Sequence, residues 1–514
     1  MIREGAHHNH RRAGGKATPA QPARAPDYTS LRNPFAPQTI FSSDQIASIH
    51  DTALRVLEEL GMHMALPEAR AILARGGALV DDATQMVRIG RDMVQEALAR
   101  SPRTVQAIAG DRRRDIDFAL GNMYFAGGAG APNVTDIERG RRAGTLDDLE
   151  NLIRIAQSFD VIHIQTAHVE PQDIEHRFRH YAMLRAQLTL SDKLPFVYAR
   201  GQAQVLDAFE MIRLARGVSE DEFRASPRCY TVINTNSPRM LDVPMAQGII
   251  DFARHGQALV ISPFCLAGAM APVTTAGAVM LQHAEALGGI VLAQLTKPGA
   301  PLLYGSFSSN VDLKSGAPKF GTPEHIKATL ASGQLARFIE LPWRSGGGSS
   351  AYTSDAQAAN ETQFGLWATV LSGATMLIHA AGWLEGGLAD SYEKFITDAE
   401  TLQTVAELCT ATPADEAAIA FDAIADVAPG GHFFSTPHTM ARFRQAFYEP
   451  FMREHANFGN WAEDGAQTAT QRAHGAWKRI LAEYQPPAST AGIGEVLDGF
   501  IAARKAAGGA PPES

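Results

Sequence analysis

Cys229-Tyr230-Thr231-Val232-Ile233 is a short run of mostly apolar side chains that leads at once to the polar Asn234 and Asn236. A run of this kind, rich in β-branched and aromatic residues, fits a strand buried on both faces, although a short buried helix shares the pattern. Seven similar runs lie around it at intervals of about thirty to forty-five residues: Met123 to Ala126, Val161 to Thr166, Pro195 to Ala199, Leu259 to Ser262, Pro301 to Tyr304, Leu341 to Trp343 and Thr375 to Ile378. Most of the stretches between them read as amphipathic helices, at 146–158, 172–188, 204–216, 240–255, 275–288, 323–338 and 356–371, with one more at 392–408. Strand alternating with helix means parallel pairing, and eight repeats close most economically into a (β/α)8 TIM barrel of roughly 250 residues. An open doubly wound sheet is the competing arrangement. It lacks its fingerprint, because Gly127-Gly128-Ala129-Gly130 leads to Pro132 and not directly into a helix.

The 514 residues exceed what such a barrel needs, so extensions are expected at both ends. The expected layout is a disordered basic tail over 1–35, an N-terminal helical extension over 36–120, the catalytic barrel over 121–410 and a C-terminal helical appendage over 411–514 with a disordered end from Ala506. In the first extension, Ile46, Ile49, Ala53, Val56, Leu57 and Leu60 share one helical face, with Ser43 placed to cap it and Gly61 to stop it. Further helices are expected at 67–76, 90–100, 414–424, 438–455, 465–484 and 492–506.

Apolar residues make up 45% and charged residues 20%, with a formal charge of −9, so nothing electrostatic favours nucleic acid or an anionic membrane. Three widely spaced cysteines write neither a disulfide framework nor a zinc motif, and no bound metal is expected. The basic N-terminal segment has no apolar signal core, and no later stretch reads as long and apolar enough to cross a bilayer. A cytoplasmic enzyme is the expectation.

Barrel enzymes place their chemistry at the C-terminal ends of the strands. There, Pro342-Trp343-Arg344-Ser345-Gly346-Gly347-Gly348-Ser349-Ser350-Ala351-Tyr352-Thr353-Ser354-Asp355 is the most unusual stretch. Gly346, Gly347 and Gly348 would let a backbone approach a ligand closely. A phosphate cradle would want a cation at the next helix start, whereas Asp355, Gln357 and Glu361 stand there, so the stretch leans toward a cationic ligand. Tyr304, Phe307, Tyr352 and Trp383, with Trp343 nearby, have the composition of an aromatic box for a quaternary ammonium. Asp355 and Glu361 are candidates for charge complementarity. His379 is a candidate general base, metal ligand or carboxylate anchor, Arg200 a candidate carboxylate clamp, and Asn234 a candidate for orienting polar substrate atoms.

The chain resembles the trimethylamine methyltransferase family in several segments and in their order: Tyr124-Phe125-Ala126-Gly127-Gly128, Val232 to Pro238, Pro263 to Ala269 with Ala271-Pro272-Val273-Thr274, Tyr304-Gly305-Ser306, Gly346 to Asp355 and Gly382 to Leu388. The resemblance implies a (β/α)8 barrel and methyl transfer to a corrinoid (cobalamin) carried by a partner protein. Archaeal trimethylamine enzymes of the family carry pyrrolysine; this chain shows only ordinary residues. Members without pyrrolysine resemble enzymes for quaternary amines, of which glycine betaine is the best-known case.

Chemistry points the same way, since a quaternary nitrogen leaves as a neutral tertiary amine and needs neither protonation nor a Lewis acid. The expected activity is therefore methyl transfer from a small betaine to Co(I) of a corrinoid protein, with the glycine loop giving the macrocycle its approach; self-association is also compatible. Alternatives are a trimethylamine or other methylamine methyltransferase, a barrel lyase or hydrolase using His379 and Asp355, and a non-catalytic binder of quaternary ammonium compounds.

Overall fold

The computed structural model describes residues 27–513. Most of the expected basic tail, at 1–26, lies outside the described residues, as does Ser514. The chain divides into a large unit, Tyr28–Thr410 with Pro450–Ser514, and a small one built around Ala411–Glu449.

Six of the eight apolar runs form strands of one sheet: β1 (Asn122–Phe125), β2 (Tyr230–Ile233), β3 (Ala258–Ile261), β4 (Leu302–Gly305), β5 (Trp343–Gly346) and β6 (Met376–Ile378), with Leu31–Arg32 added antiparallel beside β1. Their order is β1-β6-β5-β4-β3-β2, and every neighbouring pair is parallel. The two remaining runs form no continuous ladder and join through isolated parallel bridges, Ala126 with Ile164, Ile164 with Leu194, and Phe196 with Tyr230. Side chains occupy the backbone groups that a ladder would use. The Phe125 N–H donates to His163 Nδ1, and the Gln187 carboxamide serves both the N–H and the carbonyl of Phe196.

The helices between the strands follow the apolar periodicity closely: Leu146–Gln157, His176–Leu190, Gln202–Arg216, Val243–Arg254, Thr275–Thr296, Pro323–Phe338, Ala356–Leu371 and Tyr392–Leu408. Caps fix their starts, as where Thr145 and Asp148 form a capping box. Thr275–Thr296 runs eight residues past its expected end and is buried nearly all round. Contrary to the sequence expectation, it is long and apolar enough to cross a membrane, but 83% of its apolar window is buried within the protein, as in a core helix.

The region before β1 is not purely helical. Ser43–Arg55 is capped by Ser42, one residue before the expected cap, and continues as a π-helical turn to Leu60, where Gly61 at φ +72° ends it. Met62–Met64, Met86–Arg88 and Leu79–Asp81 pair as short strands beside Met240–Leu241, and Thr104–Ala107 forms a hairpin with Ile116–Ala119. In that hairpin Val105 and Ala107 are buried while Thr104 and Gln106 are exposed, a two-residue alternation that marks strands.

Beyond Pro450, the helix Ala469–Glu483 packs on Tyr392–Leu408, with the Trp477 and Tyr392 rings 4.7 Å apart. The expected disordered end is pinned instead. Ala510 N–H donates to the Arg177 carbonyl and Glu513 N–H to the Arg200 carbonyl. Among its described residues the small unit holds the short helices Glu416–Ile419, Phe421–Ala425 and Pro437–Arg442.

Candidate active site

A cavity of about 380 Å³ opens where the parallel strands end. Phe307 follows β4, Arg344 lies within β5, and His379 follows β6, while Tyr198, Tyr230 and Phe264 complete the wall. Trp383 is held by a two-strand turn in which it pairs with Asp390. The elements thus bring together side chains from widely separated parts of the chain.

The aromatic part of the wall is continuous. Phe307 stacks on Phe264 with centroids 5.6 Å apart, lies 5.1 Å from His379 and meets Trp383 edge-on at 5.7 Å. Trp383 fits between two glycine backbones: a Cβ on Gly348 would lie 2.4 Å from its ring, and one on Gly387 would lie 2.6 Å away. Gly348, at φ +121°, also has a backbone that disfavours a side chain. The sequence thus spends this glycine on seating an indole.

His379 takes a left-handed backbone, φ +58°, and its N–H donates to the Gly127 carbonyl. Its Nδ1 is buried and has no hydrogen-bond partner among the described residues. Burial, aided by the Arg344 charge, holds the imidazole well below its ordinary pKa, so it is neutral at pH 7.

Two arginines face the cavity in different states. Arg200 is bonded to Glu170, at 3.0 Å through Nη1 and by a second contact through Nη2, and lies 4.1 Å over the Tyr198 ring. Arg344 is 3% exposed, donates from Nη1 to Ser262 Oγ at 3.0 Å and sits 4.9 Å from the Phe307 centroid. Its Nε is buried without a partner, and among the described residues it has no carboxylate partner. Burial pulls it down to about 10, so it remains charged near neutrality.

Phe307, Trp383, His379, Arg200 and Asn234 therefore lie around one cavity, and the eight other sequence candidates lie elsewhere. Tyr304 points away between β4 and Thr275–Thr296, where its hydroxyl meets His283 Nδ1 at 3.0 Å and Gln282 Nε2 at 3.1 Å. Trp343 also points outward, its Nε1 donating to the Gly373 carbonyl. Tyr352 is 76% exposed. Asp355 caps Ala356–Leu371 by accepting from the N–H groups of Gln357 and Ala358, and Glu361 accepts from Ser349 Oγ and Ser350 N–H at 2.7 Å. Both carboxylates serve local structure instead of a cationic ligand. Gly346 and Gly347 are buried, and a Cβ on Gly346 would lie 2.4 Å from the Ile378 carbonyl, so the triplet offers no open surface to a macrocycle.

The sequence reading gave no role to Arg344, Tyr198, Tyr230 or Phe264. A usable signal was strand alternation: with Trp343 on the outer face of β5, Arg344 must face inward.

A cavity with an aromatic wall at the ends of parallel strands, with a neutral histidine and a fixed guanidinium, is the kind of site in which an α/β enzyme binds a small molecule. Residues 7–509 match the family described as Trimethylamine methyltransferase (MTTB). The chain belongs to that family and is a methyltransferase. It is 35% identical to the glycine betaine methyltransferase of Desulfitobacterium hafniense (strain Y51) over 90% of this chain and 97% of the relative. It is 30% identical to the trimethylamine methyltransferase MttB of Desulfitobacterium hafniense (strain DSM 10664 / DCB-2), covering 87% and 90%. The Methanosarcina barkeri monomethylamine methyltransferase MtmB aligns with a TM-score of 0.46 at 8% identity, covering 89% of this chain and 92% of that one.

Proposed function

We propose that this enzyme takes a methyl group from a small quaternary amine, glycine betaine or a related betaine, and passes it to a corrinoid carried by a partner protein. The observation that carries the reading is the aromatic wall of Phe264, Phe307 and Trp383, whose ring faces attract a methylated cation that offers no N–H to bond. The similarity to a glycine betaine methyltransferase along nearly the whole chain supports it. The same reading takes the six strands and three bridges as one (β/α)8 ring, since the bridges run from β1 through Ile164, Leu194 and Phe196 to β2.

The residues suit a leaving group that needs no proton. His379 is neutral and stacked, so it orients the substrate without acting as an acid. Exclusion of water by the buried aromatic rings strengthens each electrostatic contact inside. A cavity of about 380 Å³ takes a small amine but not a corrin ring, which would remain at the mouth. The corrinoid supplies a Co(I) nucleophile when its carrier is bound.

The test incubates the protein with reduced cob(I)alamin and, in turn, glycine betaine, carnitine, choline, proline betaine and trimethylamine. Loss of the cob(I)alamin absorbance together with a demethylated amine is the expected result for a betaine. Turnover of the amine without any corrinoid would overturn the reading in favour of a lyase or hydrolase.

A further inference from the structure

Resting on the quaternary-amine reading, we propose that Arg344, with Ser262 beside it, is the carboxylate anchor of the site and confines its substrates to quaternary amines that carry a carboxylate. Of the two guanidinium groups at the cavity, Arg200 is already neutralised by Glu170, which Arg179 also approaches at 3.5 Å. Among the described residues, Arg344 has only a serine hydroxyl and a phenyl face. A buried guanidinium leaves unmet hydrogen-bonding capacity and uncompensated charge, and a substrate carboxylate provides both in one planar group.

The geometry places the anchor beside the cation wall. The Phe307 centroid is 4.9 Å from the Arg344 guanidinium carbon and 5.7 Å from the Trp383 ring, so the anchor and the cation wall meet at one phenyl ring. A zwitterion puts its negative end on Arg344 and its methylated end on the rings. A bare cation such as choline brings a second positive charge into a cavity that already holds one. His379 does not compete for the carboxylate, because a neutral imidazole stacked on Trp383 contributes no charge.

The experiment measures equilibrium binding by calorimetry to the wild-type protein and to Arg344→Gln and Arg344→Lys. The probes are glycine betaine, its uncharged-head isostere 3,3-dimethylbutyrate, choline and tetramethylammonium. Wild type is expected to bind glycine betaine at least about 10-fold more tightly than choline. Arg344→Gln is expected to lose on the order of 100-fold for glycine betaine, with choline and tetramethylammonium unchanged or tighter. Arg344→Lys should recover part of the loss.

Equal wild-type affinity for glycine betaine and choline would overturn the anchor while leaving the quaternary-amine reading standing, and this comparison needs no variant. A folded Arg344→Gln protein that binds glycine betaine like wild type would do the same. No wild-type binding of glycine betaine, choline or tetramethylammonium would sink the quaternary-amine reading and the anchor with it.

Discussion

The His379 imidazole lies against the Trp383 indole with centroids 4.6 Å apart and planes 24° from parallel. The stack turns one indole face into a fixed surface, because the ring is also wedged between Gly348 and Gly387. Replacing Trp383 with Leu keeps apolar bulk and removes the π face. Glycine betaine binding should fall about 5- to 30-fold, while 3,3-dimethylbutyrate, which has no cationic head, should change much less. Parallel titrations of the two ligands check this, and equal losses would show that the indole acts by shape alone.

A second prediction concerns the backbone of His379. At φ +58° a residue with a Cβ is strained by about 1 kcal/mol, whereas glycine is not. His379→Gly should therefore unfold at higher denaturant than His379→Ala, the reverse of the usual order. Denaturant melts of the two variants decide it. Both variants should lose turnover, and the wild-type rate should show no His379 step between pH 6 and 8, because burial holds that imidazole neutral throughout.

These two predictions turn on details that the sequence only partly discloses. Strands buried on both faces are legible because a run such as Ala258–Ile261 has no polar alternation to confuse it. The runs through Ile164 and Phe196 are equally apolar, yet whether they ladder depends on His163 and Gln187, whose reach to a backbone group is a three-dimensional fact. At the site, Phe307, Trp383 and His379 follow directly from where strands end. Tyr304 and Trp343 failed by one position of strand alternation, which turns a side chain from the cavity to the helix layer. For Asp355 the sequence offers two readings, helix cap and partner of a cationic ligand, and the structure uses it as the cap.

That cap yields a third prediction. Asp355→Ala should destabilise the protein by about 1 kcal/mol and leave glycine betaine affinity within 2-fold of wild type. Thermal melts and calorimetry on the same preparation test both halves. A large loss of affinity at unchanged stability would return Asp355 to the substrate site.

A fourth prediction follows from His163, whose Nδ1 accepts the Phe125 N–H at 2.9 Å while Nε2 meets the Tyr28 carbonyl at 2.7 Å. Burial lowers its pKa to about 4. In the unfolded chain the imidazole takes a proton near pH 6.5, and in the folded protein it does so only near 4, so the unfolded state binds more protons between those values. Stability is therefore lost as pH falls through that window, by on the order of 3 kcal/mol from this group. His163→Gln can offer an acceptor and a donor without titrating. Urea melts at pH 7 and pH 4.5 should show the stability difference between wild type and variant moving in favour of the variant at the lower pH; parallel behaviour would mean that His163 takes its proton at the same pH in the folded and unfolded states.

The Gln187 carboxamide, which holds Phe196 in place of a neighbouring strand, gives one side of the cavity a different mechanical character from the rest. Around β3 to β6 the wall is backbone laced to backbone, and no single substitution can move it. At Phe196 the wall is laced to backbone on one side only, through Val197 N–H to the Tyr230 carbonyl and Tyr230 N–H to the Pro195 carbonyl, while its other side rests on the Gln187 side chain. Moving this part of the wall therefore costs one amide's hydrogen bonds on that side, where elsewhere it would cost a strand ladder.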